Sequence, residues 1–290
     1  MEIRDVAIIG AGPAGITAAI QLRRYGIDPL LLEKDETGGL LRNANLVENY
    51  PGFPEGISGK RLLELFRKQL ENVGAKISSE EVSMVSFKEG YFQVQSNRGV
   101  VNSRILVVAS GTEPREIPNL SWDVAKQIRY DVYSLDGLTD EKIAVIGAGD
   151  LAFDYALNLS KRNEVILFNR GSEAKCLPVL FERALENKKI SYKKSTQIIK
   201  IELRDDAFIL TCKDSKGEHE IDAGHVVAAI GRKTNIGFLD EDLRQNMDRL
   251  QKEGLLLLIG DVKNDIYRQV AISAGDGMKA AMKIGRKLGK

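Results

Sequence analysis

The stretch that decides the fold is DVAIIGAGPAGITAAIQL, residues 5–22. An apolar run from Val6 to Ile9 reads as a buried strand, Gly10, Gly12 and Gly15 mark a tight turn, and the apolar periodicity that follows reads as a helix ended by Gly26. Strand, glycine-rich turn and helix in that order make a cradle for a pyrophosphate. The glycines, with Pro13 and Ala14 between them, let backbone approach the phosphates, and the helix start offers unpaired N–H groups and a positive dipole end. A second strand, PLLLEK, then delivers Glu33 at its end. A carboxylate there accepts hydrogen bonds from both ribose hydroxyls of an adenosine and repels a 2′-phosphate, so this cradle suits FAD or NAD and disfavours NADP.

The pattern recurs in AVIGAGDLAFDYALNL, residues 144–159, with Gly147, Gly149 and Ala152 at the three small positions and Asp150 and Leu151 opening the helix. The strand after it, EVILFNRG, ends in Asn169 and Arg170 where an acid would stand, and Lys175 follows. No carboxylate awaits a ribose. Arg170 and Lys175 either pair with a 2′-phosphate or are ordinary surface charges at a strand end. Asp150 and Asp154 read as acids of the first helical turn, where they complement the dipole.

A chain of 290 residues accommodates two domains. Lys plus Arg (42) nearly cancels Asp plus Glu (41), which argues against a nucleic-acid partner and a membrane-surface role. No apolar run approaches the ~20 residues of a membrane span, and the first strand begins too early for a signal peptide, so a cytoplasmic protein is expected. Cys176 and Cys212 are the only cysteines and no CxxC occurs. Cys212 shares strand parity with Phe208 and Leu210 and reads as a buried structural thiol. His219 and His225 have no metal-ligand spacing, so neither a metal site nor a catalytic side chain is expected.

Around the cradles stand TGGLL (37–41), ENYPGFPEGISG (48–59), VVASGTEPR (107–115), AAIGRKTN (228–235), IGDV (259–262) and YRQVAISAGDGMKAA (267–281). In that order, and over essentially the whole chain, this set resembles the thioredoxin reductase-like branch of the two-dinucleotide flavoproteins. The resemblance implies an α/β fold of two Rossmann-like dinucleotide-binding domains of the pyridine nucleotide-disulfide reductase type, the second inserted in the first. Residues 1–112 and 236–290 would bind FAD and residues 113–235 NADPH or NADH. On the FAD side it implies Glu33 on the adenosine ribose, Asn49 near the flavin, Asp261 on the ribityl chain, and Gln269 and Val270 opening a helix beneath the isoalloxazine. Gly38, Gly39, Leu40, Val82, Ala109 and Gly111 complete that site. The nicotinamide side would comprise Gly147, Gly149, Asp150, Leu151, Asn169, Arg170, Lys175 and Gly231. The two crossings between domains, near GTEPREIPN and GRKTNIGF, have the composition of a hinge.

Thioredoxin reductases of this branch carry a CxxC shortly before the second cradle, whereas here that region reads QIRYDVYSLDGLTDEK (127–142). Without a dithiol, two-electron disulfide chemistry has no carrier at that position. The segment resembles instead the cysteine-free members that act as ferredoxin- or flavodoxin-NADP reductases. The expectation is therefore an FAD-dependent NAD(P)H oxidoreductase whose partner is a small redox carrier, a homodimer through its FAD domain. Two alternatives stay open: a non-nicotinamide donor on the same fold, or a flavin-binding subunit without turnover. Three departures matter. NADP-using members carry His-Arg-Arg and a further Arg where this chain has Asn169, Arg170, Gly171 and Lys175, and losing a bidentate phosphate contact costs about 1–3 kcal/mol. The usual Gln of GGQ is Leu40. The sequence stops at Lys290, without the extension that covers the flavin in those reductases, so an open flavin face is expected. Tyr50, Phe53, Tyr130 and Tyr133 either lie over the flavin or pack internally.

Overall fold

The computed structural model describes residues 3–290. The chain begins with β1 (Ile3–Ile9), α1 (Pro13–Arg24), β2 (Leu30–Glu33), a 3-10 turn (Gly39–Asn43), α2 (Gly59–Asn72), β3 (Ile77–Ser79), β4 (Val82–Lys88), β5 (Tyr91–Ser96), β6 (Gly99–Val108) and β7 (Thr112–Pro114). The middle holds α3 (Trp122–Gln127), a 3-10 turn (Tyr133–Leu135), β8 (Lys142–Ile146), α4 (Asp150–Leu159), β9 (Glu164–Phe168) and α5 (Pro178–Glu186). It continues through β10 (Ile190–Lys193), β11 (Gln197–Arg204), β12 (Ala207–Asp214), β13 (Gly217–Ala223), β14 (His225–Ala228) and β15 (Arg232–Thr234). The chain closes with α6 (Glu241–Gln245), α7 (Met247–Lys252), β16 (Leu256–Leu258), a 3-10 turn (Gly260–Val262) and α8 (Val270–Lys287).

These elements form two compact units, the first made of residues up to Arg42, Val47–Glu113 and Thr234–Lys290, the second of Asn43–Leu46 and Pro114–Lys233. In the first unit β3, β2, β1, β6 and β16 run parallel, as a doubly wound sheet requires. The near-continuous apolar runs of β1 and β6 follow from burial on both faces. β6 changes partner along its length: Leu106–Val108 pair with β16, while its early residues pair antiparallel with β5, which pairs with β4. α8 crosses α1 so closely that a Cβ at Gly277 would strike the backbone of Ala14 and Ala18.

The second unit repeats the Rossmann theme with a parallel sheet in the order β10, β9, β8, β14. α4 and α5 cover one face, burying Phe153, Tyr155 and Ala156 against Val145 and Leu167. The antiparallel sheet β11–β12–β13 covers the other, with Phe208, Leu210 and Cys212 against Ala144, Ile166 and Phe168. Among the described residues no helix is long and apolar enough to cross a membrane.

Residues 43–46 depart from the sequence-based division, which puts them with the first domain. Asn43, 2% exposed, accepts from the Tyr133 N–H at Oδ1 (3.0 Å) and from Asn158 Nδ2 at its carbonyl (3.4 Å). The Asn45 N–H donates to the Asp154 carboxylate at 3.0 Å. Polar contacts with α4 and the 133–135 turn thus make this strap part of the second unit. Asp154 is also not a first-turn acid, because α4 begins at Asp150.

Candidate functional site

The first cradle is built by close approach. Gly10 adopts φ +105°, a left-handed conformation unfavourable for any side chain, and donates its N–H to the Leu32 carbonyl at 2.8 Å. A Cβ at Gly15 would land on the Gly10 carbonyl oxygen, whereas one at Gly12 would meet nothing within 4 Å. Open space at Gly12 is where a ligand can approach. Gly12 is also the N-cap of α1 and brings no side-chain cap, and Pro13 has no N–H to satisfy, so the next N–H groups of the first turn point out unpaired. Glu33 aims at this loop: Oε2 accepts from the Ala11 N–H at 2.7 Å and Oε1 from the Asp35 N–H at 3.1 Å. The Gly38 N–H donates to the Ala11 carbonyl (2.9 Å), and a Cβ at Gly39 would stand 3.7 Å from the Gly12 Cα. Leu40 follows, partly exposed. The Glu80 N–H donates to the Glu33 carbonyl (2.9 Å), which brings the start of β4 and Val82 beside the end of β2. Ala109 faces Gly10 across the sheet, and the Gly111 carbonyl accepts from the Asn235 N–H at 3.1 Å.

The C-terminal segment returns to this cradle. A Cβ at Gly260 would approach the Ala14 Cβ to 2.8 Å, so the 3-10 turn carrying Asp261 sits on the start of α1. Asp261 Oδ1 accepts from the Ser273 hydroxyl at 3.2 Å. Asp276 pins the turn: burial pushes its carboxyl up, but hydrogen bonds from Asn264, Lys263 and the Gly260 N–H outweigh burial and leave it below its ordinary value. Asn49 and Gln269 meet directly, Nδ2 donating to Oε1 at 2.9 Å. Gln269, the N-cap of α8, therefore spends its oxygen on Asn49 and leaves the first N–H groups of α8, including that of Val270, uncapped. Next to it the Arg268 Nε is buried without a hydrogen-bond partner among the described residues. Sequence reasoning singled out Gln269 and passed over Arg268, although YRQV places them side by side. A cradle that stays open at Gly12, an uncapped helix start and an orphaned guanidinium nitrogen fit FAD. Tyr50 packs on Phe53 and Phe66, with ring centroids 6.2 and 5.9 Å apart, and the Tyr130 hydroxyl accepts from the Ile117 N–H at 3.3 Å.

The second cradle uses the same backbone with a different surround. Gly147 has φ +151°, and a Cβ there would come within 2.5 Å of the Ala229 oxygen and 3.0 Å of the Ala152 Cβ. Its N–H donates to Phe168 at 3.0 Å, as Gly10 does to Leu32, so Asn169 occupies the place of Glu33. Asn169 does not reach toward a ligand. It is 4% exposed, and its Nδ2 donates to the Glu173 carbonyl (2.9 Å) and the Tyr192 hydroxyl (2.8 Å), while Oδ1 accepts from the Gly171 N–H (2.8 Å). Its side chain shapes the loop. The loop folds back on the cradle: the Lys175 N–H donates to the Ala148 carbonyl at 2.7 Å, and Asp150 Oδ1 accepts from the Leu177 N–H at 2.7 Å. Asp150 is thereby a clasp for the loop. Gly149 caps α4 without a side chain and forms a parallel bridge with Lys175, which lays the loop backbone along the helix start and leaves the Leu151 N–H for a phosphate. Arg170 and Lys175 are exposed, with no side-chain partner among the described residues. Gly231 accepts from the Arg115 N–H at 2.9 Å. Exposed cations, a helix start without a side-chain cap and no acid at the strand end fit a nicotinamide dinucleotide.

Asp154, one turn into α4, is pushed up to about 6 by burial, with Asp150 adding to the rise and the Asn45 and Leu46 N–H groups and Lys161 opposing it. Cys212 is fully buried and its thiol is pushed up to about 11 by burial and by Asp214. Cys176 is partly buried, and both thiols are free. Among the described residues no group of His, Cys, Asp and Glu could hold a metal ion.

Residues 4–252 match the family model for pyridine nucleotide-disulphide oxidoreductases. The thioredoxin reductase of Streptomyces clavuligerus is 31% identical over 306 residues, covering 99% of this chain and 94% of the relative. That of Borreliella burgdorferi is 28% identical over 305 residues, covering 99% and 92%. The crystal structure of Lactococcus lactis thioredoxin reductase superposes with a TM-score of 0.84 at 25% identity, over 98% of each chain. FAD and NADPH are the cofactors of the thioredoxin reductase family. With two glycine cradles of that design and a match over most of its length, the chain belongs to the pyridine nucleotide-disulphide oxidoreductases, in their thioredoxin reductase-like branch.

Proposed function

We propose that this flavin-dependent oxidoreductase takes a hydride from NADPH or NADH and delivers electrons to a small carrier protein such as ferredoxin or flavodoxin, with no redox-active disulfide between. The observation that carries the reading is the thiol inventory. The chain has two cysteines, at 176 and 212, and the second is sealed in the core of its unit. The region before the second cradle supplies no sulfur either, and its 3-10 turn is anchored by Val132 (3% exposed) and Leu135 (5%). The relatives are named for reducing thioredoxin, a reaction that needs a dithiol to exchange with the substrate disulfide.

In this reading the first unit holds FAD through the N–H groups of α1, Glu33 on the adenosine ribose, Asp261 on the ribityl chain and Asn49, Arg268 and Gln269 near the flavin. The first N–H groups of α8 and its dipole stabilise negative charge accumulating at the ring edge they face. Bound FAD supplies hydride acceptance and the release of the electron pair one at a time. No acid or base is required of the side chains. The second unit holds the nicotinamide dinucleotide at the start of α4, with Arg170 and Lys175 beside its adenosine ribose. A homodimer through the first unit is the proposed assembly, supported by the partly exposed stripe of Ile272, Met278 and Met282 on α8. Turnover of the FAD-loaded protein with NADPH is the test, with ferredoxin, flavodoxin and thioredoxin offered separately. Reduction of ferredoxin or flavodoxin is expected. Reduction of thioredoxin at comparable rate by the purified chain would overturn the proposal.

A further inference from the structure

The cation missing at Gly171 has a neighbour from another strand. β10 is the edge strand beside β9, and its carboxyl end is pinned to the specificity loop by three backbone hydrogen bonds. The Asn169 N–H donates to the Lys193 carbonyl (2.9 Å), the Ser195 N–H to the Gly171 carbonyl (2.8 Å) and the Thr196 N–H to the Asn169 carbonyl (3.0 Å). Alternation sorts the last residues of the strand. Tyr192 packs on the α4 face against Phe153. Lys193 takes the opposite face, where its charge acts on the Cys212 thiol. Lys194 lies in the turn after β10, between Lys193, whose carbonyl takes the Asn169 N–H, and Ser195, whose N–H reaches the Gly171 carbonyl, so its backbone runs beside the loop after β9. It is exposed, and like Arg170 and Lys175 it has no side-chain partner among the described residues.

We propose that Lys194 is a specificity-determining residue, the third cation of a 2′-phosphate clamp completed by Arg170 and Lys175. The inference rests on the second cradle holding a nicotinamide dinucleotide. It makes the enzyme selective for the 2′-phosphorylated form although its strand end keeps a single arginine. A dianionic phosphate has oxygens enough for three cations, and Lys194 approaches from β10, where Gly171 leaves no side chain in the way. β10 also supplies its own control, because Lys188 precedes it at the end remote from the cradle.

The test is calorimetric binding of adenosine 2′,5′-bisphosphate and of 5′-AMP, which reads the clamp without flavin turnover. Lys194→Ala is expected to weaken the bisphosphate about tenfold and leave 5′-AMP unchanged, Lys194→Arg to restore it, and Lys188→Ala to change neither. In steady state the same Lys194→Ala variant should raise KM for NADPH with kcat unchanged and leave KM for NADH as it was. A wild-type chain that prefers the bisphosphate while Lys194→Ala loses nothing overturns the clamp and spares the cradle. A wild-type chain that binds neither probe overturns both.

Discussion

The two cradles of this protein share a backbone and differ in what their strand ends do with one side chain. Gly10 and Gly147 donate to the strand residues Leu32 and Phe168, and the residues that follow, Glu33 and Asn169, stand in equivalent places. Glu33 turns toward its cradle, taking the Ala11 N–H on one oxygen and keeping lone pairs for a ribose. Asn169 turns away, spending its amide on Glu173, Tyr192 and Gly171. At the first cradle the strand-end side chain faces the glycine loop, and at the second it organises the loop that follows. The helices diverge one turn further on. Thr17 in α1 donates to its own Pro13 carbonyl at 2.7 Å, while Asp154 in α4 reaches out to the Asn45 N–H. At this position one helix bonds within itself and the other reaches to the strap at residues 43–46.

The sharpest way to break this comparison is at the third small residue. Gly15→Ala places a methyl on the Gly10 carbonyl oxygen and should cost about 3 kcal/mol in urea unfolding of the apo-protein, with loss of FAD binding. Unchanged stability would mean that the loop relaxes where the packing says it cannot. Next in size is Asp154. Its folded-state pKa, about 6 against an ordinary 3.8, is raised, so folding favours the protonated form. Its contribution is full below the ordinary value and is lost as pH rises through about 6. Asp154→Asn should match wild type near pH 4 and be more stable by about 2 kcal/mol at pH 8, read from unfolding midpoints across that range. A constant difference at all pH values would contradict the burial of this carboxylate.

Smaller is the effect of removing the loop organiser. Asn169→Ala leaves three partners without their hydrogen bonds and should cost about 1.5 kcal/mol while speeding amide exchange over residues 171–175. If exchange there does not change, the loop is held by Lys175 and Asp150 alone. Smallest is Ala152→Gly, which removes a methyl that the second cradle accommodates and adds backbone freedom to a helix, about 1 kcal/mol by the same unfolding assay. Together Gly15→Ala and Ala152→Gly ask whether the cradles differ by one methyl or by design.

Much of this was legible because the signals are local. Strand, glycines and helix follow one another within twenty residues or so, and the acid or its absence at the next strand end is read directly. Asn49 and Gln269 were each assigned to the flavin side from their motifs, and the structure brings them into contact across 220 positions. The strap at residues 43–46 was not legible, since what attaches it is a carboxylate 109 positions away whose partner is backbone, which no residue type announces. Asn169 was read as a ligand because its position is right; only the Tyr192 hydroxyl and the turn at Gly171 show that its polar atoms are already spent. Arg268 was missed for a different reason. Its burial without a partner is a property of packing, and nothing in YRQV separates it from an ordinary surface arginine.

The central claim is that the two cradles are joined by electron transfer with no dithiol between them. Anaerobic titration of the FAD-loaded protein with NADPH, followed by flavin absorbance, tests it most directly. A single equivalent of NADPH per flavin should bleach the flavin completely, since no disulfide shares the electrons. A flavin that stays oxidised with both NADPH and NADH, or that needs a second equivalent to bleach, would contradict it.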